Sequence, residues 1–386
     1  MTSVLVRGPL LSHSGYGVHA RQVFRWVINK GFSVNCQITP WGMTSWYLGR
    51  DRLNGLVEKI MKTSAEPTAQ PDLSFQIQLP DEWDPALAKT NVGVSAVVET
   101  DRCNPDWITA VNKMDAVIVP TEFCKKVLEN TGYCSTPIFV IPESFPDALI
   151  LGKEPNKTKF LNLKTKRNFL LFGQVTHPNS TDDRKNTEKS IQWFCETFKG
   201  RKDIGLVVKT NMGTNSTIDR RITKNKLGGI VSNARSGKFP KVFLLHGDLD
   251  EKSLCQLYLD KSLVGLISAT RGEGFGLPML EAAACGLPIL ATNWSGHLDF
   301  LNRGNWTKIN YELEPVSDTR ADGRIFVQGA QWANPSEDHF KAGLKNLLKR
   351  CPEKRKDATA LKAVIQKEYN QSFIEGLYDS FLEEIC

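Results

Sequence analysis

Residues 270–292, Thr-Arg-Gly-Glu-Gly-Phe-Gly-Leu-Pro-Met-Leu-Glu-Ala-Ala-Ala-Cys-Gly-Leu-Pro-Ile-Leu-Ala-Thr, constrain the fold more than any other stretch of the chain. Glu273 and Glu281 bracket a Gly-Phe-Gly-Leu-Pro turn. The small residues after it read as a helix, and 287–292 read as the strand that follows. Pro278 suits the first helical position, where its missing N–H is not needed. The amides of Phe275, Gly276 and Leu277 then stand at a helix N-terminus, where free N–H groups and the helix dipole together favour an anion. Gly274 and Gly276 admit positive φ and close approach of a ligand to the backbone. Glu281, one turn inside the helix, can accept hydrogen bonds from a vicinal diol such as a ribose. Glu273 lies in the preceding loop, nearer a reacting centre. Taken singly, Glu281 reads as a first-turn acid favoured by the dipole and Glu273 as a solvated loop residue. The whole string is the informative object.

The rest of the chain repeats one rhythm. Strands are read at 3–7, 33–38, 73–78, 91–98, 116–119 and 138–141, with helices at 18–30, 51–62, 106–114 and 121–131 between them. Residues 146–165, with Pro146, Gly152, Pro155 and several Lys, read as a linker. A second alternating series follows, with strands at 168–172, 205–209, 241–245 and 264–268 and helices at 186–199 and 251–261. Alternation of strands and helices implies parallel sheets in an α/β fold. Helices are expected at 341–350 and 358–369. A last one at 372–385 carries a single apolar stripe of Phe373, Ile374, Leu377, Tyr378, Phe381, Leu382 and Ile385.

A length of 386 residues favours two domains. Hydrophobic content of 41% and charged content of 24% are those of a soluble globular protein, and no apolar stretch is long enough to span a membrane. The first residues lack the pattern of a signal peptide. Nine cysteines without a Cys-x-x-Cys pair argue for a reducing compartment, against a disulfide framework and against a zinc site. The expectation is therefore a cytoplasmic protein, peripheral to a membrane at most. The net charge of +7 is mild and fits phosphorylated ligands, an anionic acceptor or simple solubility.

The 270–292 string resembles the Glu-x7-Glu signature of retaining glycosyltransferases of the GT-B fold, in particular the GT4 family (glycosyl transferases group 1). That resemblance implies two Rossmann-like domains facing across a cleft. Residues 1–150 would form the acceptor domain and 165–369 the nucleotide-sugar donor domain, with a final helix, about 370–386, crossing back to the first domain. It implies transfer of a hexose or pentose from a UDP- or GDP-linked sugar with retention, no metal and no further cofactor. The acceptor is left open among a glycan, a lipopolysaccharide, a protein and a modified DNA base, and so is the oligomeric state.

The family pattern then assigns residues. Glu273 orients the donor sugar and Glu281 holds the ribose. Phe275, Gly276 and Leu277 meet the donor through their amides. The family's Arg after the first strand of the donor domain is here Gln174, followed by a long loop, 175–183. Lys185-Asn186 matches the family's Lys element, and Arg184 is the stand-in for the missing Arg, so Arg184 and Lys185 are expected to neutralise the departing diphosphate. Lys209 ends a strand at the expected cleft edge, and the turn His246-Gly247-Asp248 would face the nucleotide base, with Gly247 and Asp248 as donor contacts. Tyr258 reads as core. In the first domain, Gly15 and Gly17 of His-Ser-Gly-Tyr-Gly would face the diphosphate. Glu99 and Asp101 follow a strand end, where such folds place ligands; they read as acceptor or sugar contacts, or Asp101 as a helix N-cap. Glu143 is a similar case. Front-face displacement, with the diphosphate helping to deprotonate the acceptor, fits the lack of a nucleophile on the far face of the sugar. The alternatives weighed are a DNA-binding or DNA-base-modifying protein of the same fold, and a nucleotide-sugar epimerase of GT-B type.

Overall fold

The computed structural model describes residues 2–150, 160–174 and 179–385. The middle of the linker expected at 146–165 and the start of the 175–183 loop lie outside the described residues.

Two compact units divide the chain. The first comprises Met1–Ser144, Asp322–Ala330 and Gln371–Cys386. Its elements in order are β1 (Ser3–Gly8), α1 (Gly15–Asn29), β2 (Ser33–Ile38), α2 (Leu56–Thr63), β3 (Leu73–Ile77), β4 (Thr90–Val94), α3 (Pro105–Val111), β5 (Ala116–Val119), α4 (Glu122–Thr131) and β6 (Ile138–Val140). All strands pair in parallel in the order β2-β1-β3-β4-β5-β6. That order places the topological switch between β1 and β3, where doubly wound sheets bind ligands at the carboxyl ends.

The second unit comprises Phe145–Ala321 and Gln331–Asn370. It holds β7 (Arg167–Phe172), α5 (Thr187–Thr197), β8 (Ile204–Thr210), α6 (Thr217–Ala234), β9 (Lys241–His246), α7 (Glu251–Tyr258), β10 (Leu263–Ser268), α8 (Leu277–Ala284), β11 (Ile289–Thr292), α9 (Leu298–Leu301), β12 (Thr307–Ile309), β13 (Tyr311–Pro315), β14 (Gln331–Pro335), α10 (Glu337–Lys349) and α11 (Cys351–Glu368). Its main sheet is parallel in the order β12-β11-β10-β7-β8-β9, and β13 and β14 form an antiparallel hairpin. The α/β class and the Rossmann-like character of both sheets agree with the sequence.

Sequence-level caps explain where helices start. Ser14 accepts from the Gly17 amide at 3.0 Å at the head of α1. Thr121, Ser216, Asp250 and Ser336 do the same for α4, α6, α7 and α10. Each such cap is worth about 0.5–2 kcal/mol. Asn104, not Asp101, caps α3, accepting from Asp106 N at 3.0 Å. Asp101 pairs with its neighbour Arg102 at 3.7 Å instead.

The last helix, α12 (Gln371–Ile385), belongs to the first unit. Ile374, Tyr378 and Phe381 recur at helical spacing and are buried against Val4, Trp26 and Phe75. Burying side chains of this size contributes about 1.5–3 kcal/mol each. The attachment is also polar: Trp26 Nε1 donates to Asp379 Oδ1 at 2.7 Å, and Ser144 Oγ to Gln371 Oε1 at 2.7 Å.

Several boundaries differ from those read in the sequence. The stretch 51–55 is a turn, with Leu53, Asn54 and Gly55 at positive φ, so α2 starts only at Leu56. The strand expected to 98 stops at Val94, and Val97 takes φ 53. Helix α6 was not read at all, because its pattern is polar and its buried residues are only Asp219, Thr223 and Ile230. Residues 322–330 fold with the first unit: Arg324 binds Asp81 and Glu82 at 2.6 and 2.7 Å, and Asn104 donates to Gly323 O at 3.0 Å.

Candidate functional site

In the second unit, β10 ends at Ser268 and the chain makes the 269–276 loop before α8. Gly276 caps α8 at φ 101, a left-handed conformation that suits glycine, and Leu277 is the first helical residue. Pro278 is therefore the second helical residue rather than the first. The correction is small, because the second N–H of a helix also lacks an intrahelical partner.

Glu273 is buried, and the described structure brings it together with both cations proposed from sequence. Lys185 Nζ lies 2.6 and 2.7 Å from its carboxylate oxygens, and Arg184 donates to Glu273 Oε2 at 3.3 Å and to Gly272 O at 2.7 Å. Burial alone would raise the Glu273 pKa, but Lys185 and then Arg184 outweigh it and hold the carboxyl at about 2. The Arg271 amide donates to Arg184 O at 2.8 Å, so the two loops are joined by backbone as well. Asn186, next to Lys185, takes φ 50, which explains why a Lys here is followed by Asn.

A further support was not read from sequence. After β11 the chain runs Asn-Trp-Ser-Gly-His, and this turn closes on the Glu273 loop. Ser295 Oγ accepts from the Glu273 amide at 2.9 Å, and the Gly296 amide donates to Glu273 O at 2.9 Å. His297 is fully buried, and burial pushes its pKa below the ordinary value. Its Nε2 lies 2.7 Å from Thr292 O; a carbonyl only accepts, so Nε2 carries the proton and Nδ1 faces the Ser295 hydroxyl at 3.5 Å. The available signal was positional: polar residues directly after a strand's carboxyl end.

Glu281 sits in the buried face of α8. Tyr258 donates to Glu281 Oε2 at 2.8 Å and to Pro278 O at 3.2 Å. Burial pushes the Glu281 carboxyl up to about 7, with Tyr258 pulling the other way. Tyr258, read as core, is core and is also the hydrogen-bond partner of the proposed ribose carboxylate. The Phe275 ring is buried against Phe300, at 5.4 Å between centroids, so only its backbone is placed to meet a ligand.

Lys209 ends near β8's terminus and donates to Gly247 O. Burial lowers its pKa, with Asp248 and Glu281 acting in the opposite sense. Gly247 takes φ 87, and the turn is fixed by Asn215, whose side chain bonds both the Asp248 amide and carboxylate at 2.5 Å. Asp219 accepts from the Met212 and Thr214 amides at 3.1 and 3.0 Å and lies 2.7 Å from His246 Nε2, so α6 anchors the loop beside this turn.

In the first unit Gly15 is the exposed first residue of α1 and Gly17 is buried. A Cβ on Gly17 would meet Ser12 O at 2.2 Å, so tight packing of the loop requires that glycine. Glu99 and Asp101 lie in the turn after β4, with Asp101 on Arg102. Glu143 is buried.

With this geometry established, the similarities to known proteins take on meaning. Residues 234–318 match the family described as Glycosyl transferases group 1. The chain is 26% identical over 225 residues to the UDP-N-acetylglucosamine–peptide N-acetylglucosaminyltransferase GtfA subunit of Streptococcus gordonii, a match covering 57% of this chain and 37% of that protein. The chain thus spans little more than a third of that curated relative. A glycosyltransferase from Rickettsia africae superposes with a TM-score of 0.68 at 14% identity, covering 100% of this chain and 98% of that one. Anabaena HepE, solved with UDP and glucose, superposes with a TM-score of 0.62 at 12% identity over 100% of both chains. The chain therefore has the two-unit α/β fold of the GT-B glycosyltransferases, and its residues 234–318 match the family model of glycosyl transferases group 1.

Proposed function

We propose that this protein transfers a sugar from a UDP-linked donor to an acceptor, with retention and without a metal. The observation that carries the reading is the Lys185–Glu273–Arg184 cluster, which joins the residues just before α5 to the loop that precedes α8. The similarity to HepE, solved with UDP and glucose, and to a UDP-N-acetylglucosamine-dependent relative favours UDP as the nucleotide.

In this reading the donor diphosphate lies at the α8 N-terminus, where backbone amides and the dipole favour negative charge. Arg184 and Lys185 stabilise the charge that develops as the diphosphate departs; removing one such donor typically costs about 10²–10³ in rate. Glu273, kept ionised by those cations, faces the sugar and stabilises positive charge developing at the anomeric carbon. Its position is held by Ser295 and Gly296. Glu281 accepts the ribose hydroxyls, while Lys209 and the Gly247–Asp248 turn border the base. The acceptor hydroxyl attacks from the face the diphosphate leaves, and the diphosphate takes its proton.

The test is thermal unfolding with UDP, GDP, ADP, UDP-glucose and GDP-mannose, comparing wild type with Glu281→Ala. At about 100 times its dissociation constant a ligand adds about 2.7 kcal/mol. A UDP-selective shift lost in Glu281→Ala supports the reading. The absence of any nucleotide-dependent shift, with or without Mg²⁺, sinks it.

A further inference from the structure

The positive charge of the chain is concentrated in one stretch. Residues 199–241 carry eleven Lys and Arg against two Asp, a net +9, whereas the whole chain carries +7. Everything outside that stretch sums to −2. Within the second unit the stretch runs from the end of α5 through β8 and α6 to the start of β9. Lys209 alone of the eleven belongs to the candidate site.

Neither acid offsets the cations of α6. Asp203 pairs with Arg201 at 2.9 Å. Asp219 is turned inward, accepting from the Met212 and Thr214 amides and from the Thr223 hydroxyl at 3.1, 3.0 and 3.0 Å. Arg220, Arg221, Lys224, Lys226 and Lys238 have no carboxylate partner among the described residues. Elsewhere exposed cations are matched: Lys30 with Asp379, Lys62 with Glu58, Lys89 with Asp72 and Arg303 with Glu368, at 2.7–3.0 Å. Unmatched like charges on one helix repel each other, and an external anion relieves that repulsion. The basic surface continues past the end of α6. The Gly200 amide donates to Phe239 O at 3.4 Å, and the ammonium groups of Lys202 and Lys241 sit 5.9 and 5.0 Å from the Phe239 ring centroid.

Helix α6 also carries apolar side chains that it does not bury. Ile218 and Ile222, one turn apart, are 65% and 50% exposed, while Asp219, Thr223 and Ile230 face inward. At about 100° per residue, Ile218, Ile222 and Gly229 form one stripe, with Arg221 on one side of it and Lys226 on the other. An exposed apolar stripe edged by cations is the pattern of a helix that lies in a membrane interface. The phosphates of a nucleic acid would meet the cations and leave both isoleucines in water. Phe239, already covered by two ammonium groups, offers no platform for a base. Anionic headgroups above acyl chains meet both kinds of side chain. We propose that α6 docks the protein on an anionic lipid surface. Ile218 and Ile222 enter the boundary between headgroups and acyl chains, and Arg220, Arg221, Lys224 and Lys226 meet the headgroup phosphates. This docking does not rest on the transferase reading.

Co-sedimentation of the full chain with vesicles tests this, using phosphatidylcholine alone and phosphatidylcholine mixed with phosphatidylglycerol. The mixed vesicles are expected to bind at least about tenfold more tightly, with a preference that shrinks as salt is raised. Arg221→Glu together with Lys224→Glu should weaken that binding at least about tenfold, since each cation near such a surface is worth roughly fivefold. Ile218→Ser together with Ile222→Ser should weaken it at least about threefold. Lys59→Glu together with Lys62→Glu, the same change of net charge on exposed positions of α2, should leave it within about twofold. The two α6 pairs should also leave UDP affinity within about twofold, because they touch none of the proposed donor contacts. Should the serine pair fail to fold, Ile218→Ser alone decides. Equal binding to both vesicles, indifference to either α6 pair, or an equal loss with the α2 pair overturns the proposal. A DNA duplex bound more tightly than the mixed vesicles, and indifferent to the serine pair, overturns it too and assigns the surface to nucleic acid. Vesicle binding that follows the α6 variants without any UDP binding supports the docking and sinks the transferase reading.

Discussion

The ammonium of Lys185 lies 2.6 and 2.7 Å from the two carboxylate oxygens of Glu273, and the pair is largely buried. A buried pair of this kind is strongly coupled, because removing one partner strands the other's charge at a typical cost of about 3–5 kcal/mol. Lys185→Met and Glu273→Gln are each expected to destabilise the protein and to lower the transfer rate by roughly 10²–10³. The double substitution should cost less than the sum. A urea-denaturation cycle checks this, and additive single effects would show that the two residues act independently.

Two carboxyl groups predict opposite pH responses. Glu281 has its pKa raised from 4.5 to about 7, so the fold favours its protonated form. Its contribution to stability is therefore full below the unfolded value and declines as pH rises through 7, by up to about 3 kcal/mol. Glu273 is depressed to about 2, so its contribution is full above 4.5 and is lost as pH falls from 4.5 toward 2. A ribose diol needs an ionised Glu281, so UDP affinity should fall as pH drops below about 7. Titration calorimetry at pH 6 and pH 8 reads this out. Glu281→Gln should flatten both the affinity change and the stability decline, and an unchanged profile in that variant would disprove the assignment.

Glycines at two places should respond with opposite signs. A Cβ at Gly296 would meet Gly274 O at 2.0 Å and Glu273 O at 2.9 Å, both backbone atoms that cannot swing away. Gly296→Ala should displace the Glu273 loop, cost about 1–3 kcal/mol or more, and suppress transfer. Gly228, inside α6, has nothing within 4 Å of its would-be Cβ. Gly228→Ala should stabilise by about 0.5–1 kcal/mol through helix propensity and leave transfer unchanged. Thermal denaturation alongside turnover separates the two.

Asn186 holds φ 50 beside the catalytic Lys185 of this reading. Asn186→Gly should be tolerated, whereas Asn186→Ala should cost about 1–2 kcal/mol and misplace Lys185. Comparable turnover in the two variants would show that the left-handed conformation does not matter for transfer.

The chemistry-bearing string was legible because its information is local. Gly276 at positive φ, a helix directly behind it and a strand directly after are all consequences of a few adjacent residues. Arg184 and Lys185 were found as an exposed-looking basic pair at a helix start, where the dipole disfavours cations. Their partner explains the anomaly. Ser295 and His297 were not found, because a short polar turn has no periodicity to mark it and its role depends on a loop some twenty residues earlier. Helix α6 escaped for the complementary reason: its apolar stripe, Leu227, Ile230, Val231 and Ala234, is confined to its second half, while the first half buries Asp219 and Thr223 and leaves Ile218 and Ile222 exposed. Nor could the excursion of 322–330 into the first unit be read, since Arg324, Asp81 and Glu82 carry no signal of proximity in sequence.

The return of α12 to the first unit sets the order in which the molecule can be completed. Trp26 finds its partner Asp379 353 residues later. At a synthesis pace of roughly 5–20 residues per second, that is an interval of about 20–70 s. Throughout it, Trp26 of α1 and Phe75 of β3 pack on each other but lack the cover that Tyr378 and Phe381 will bring, while every residue of the second unit emerges before the covering helix does. The half of the protein made first is thus the half finished last. During translation its apolar face needs shielding by other means, and a nascent chain stalled short of residue 371 would present that face to chaperones and proteases.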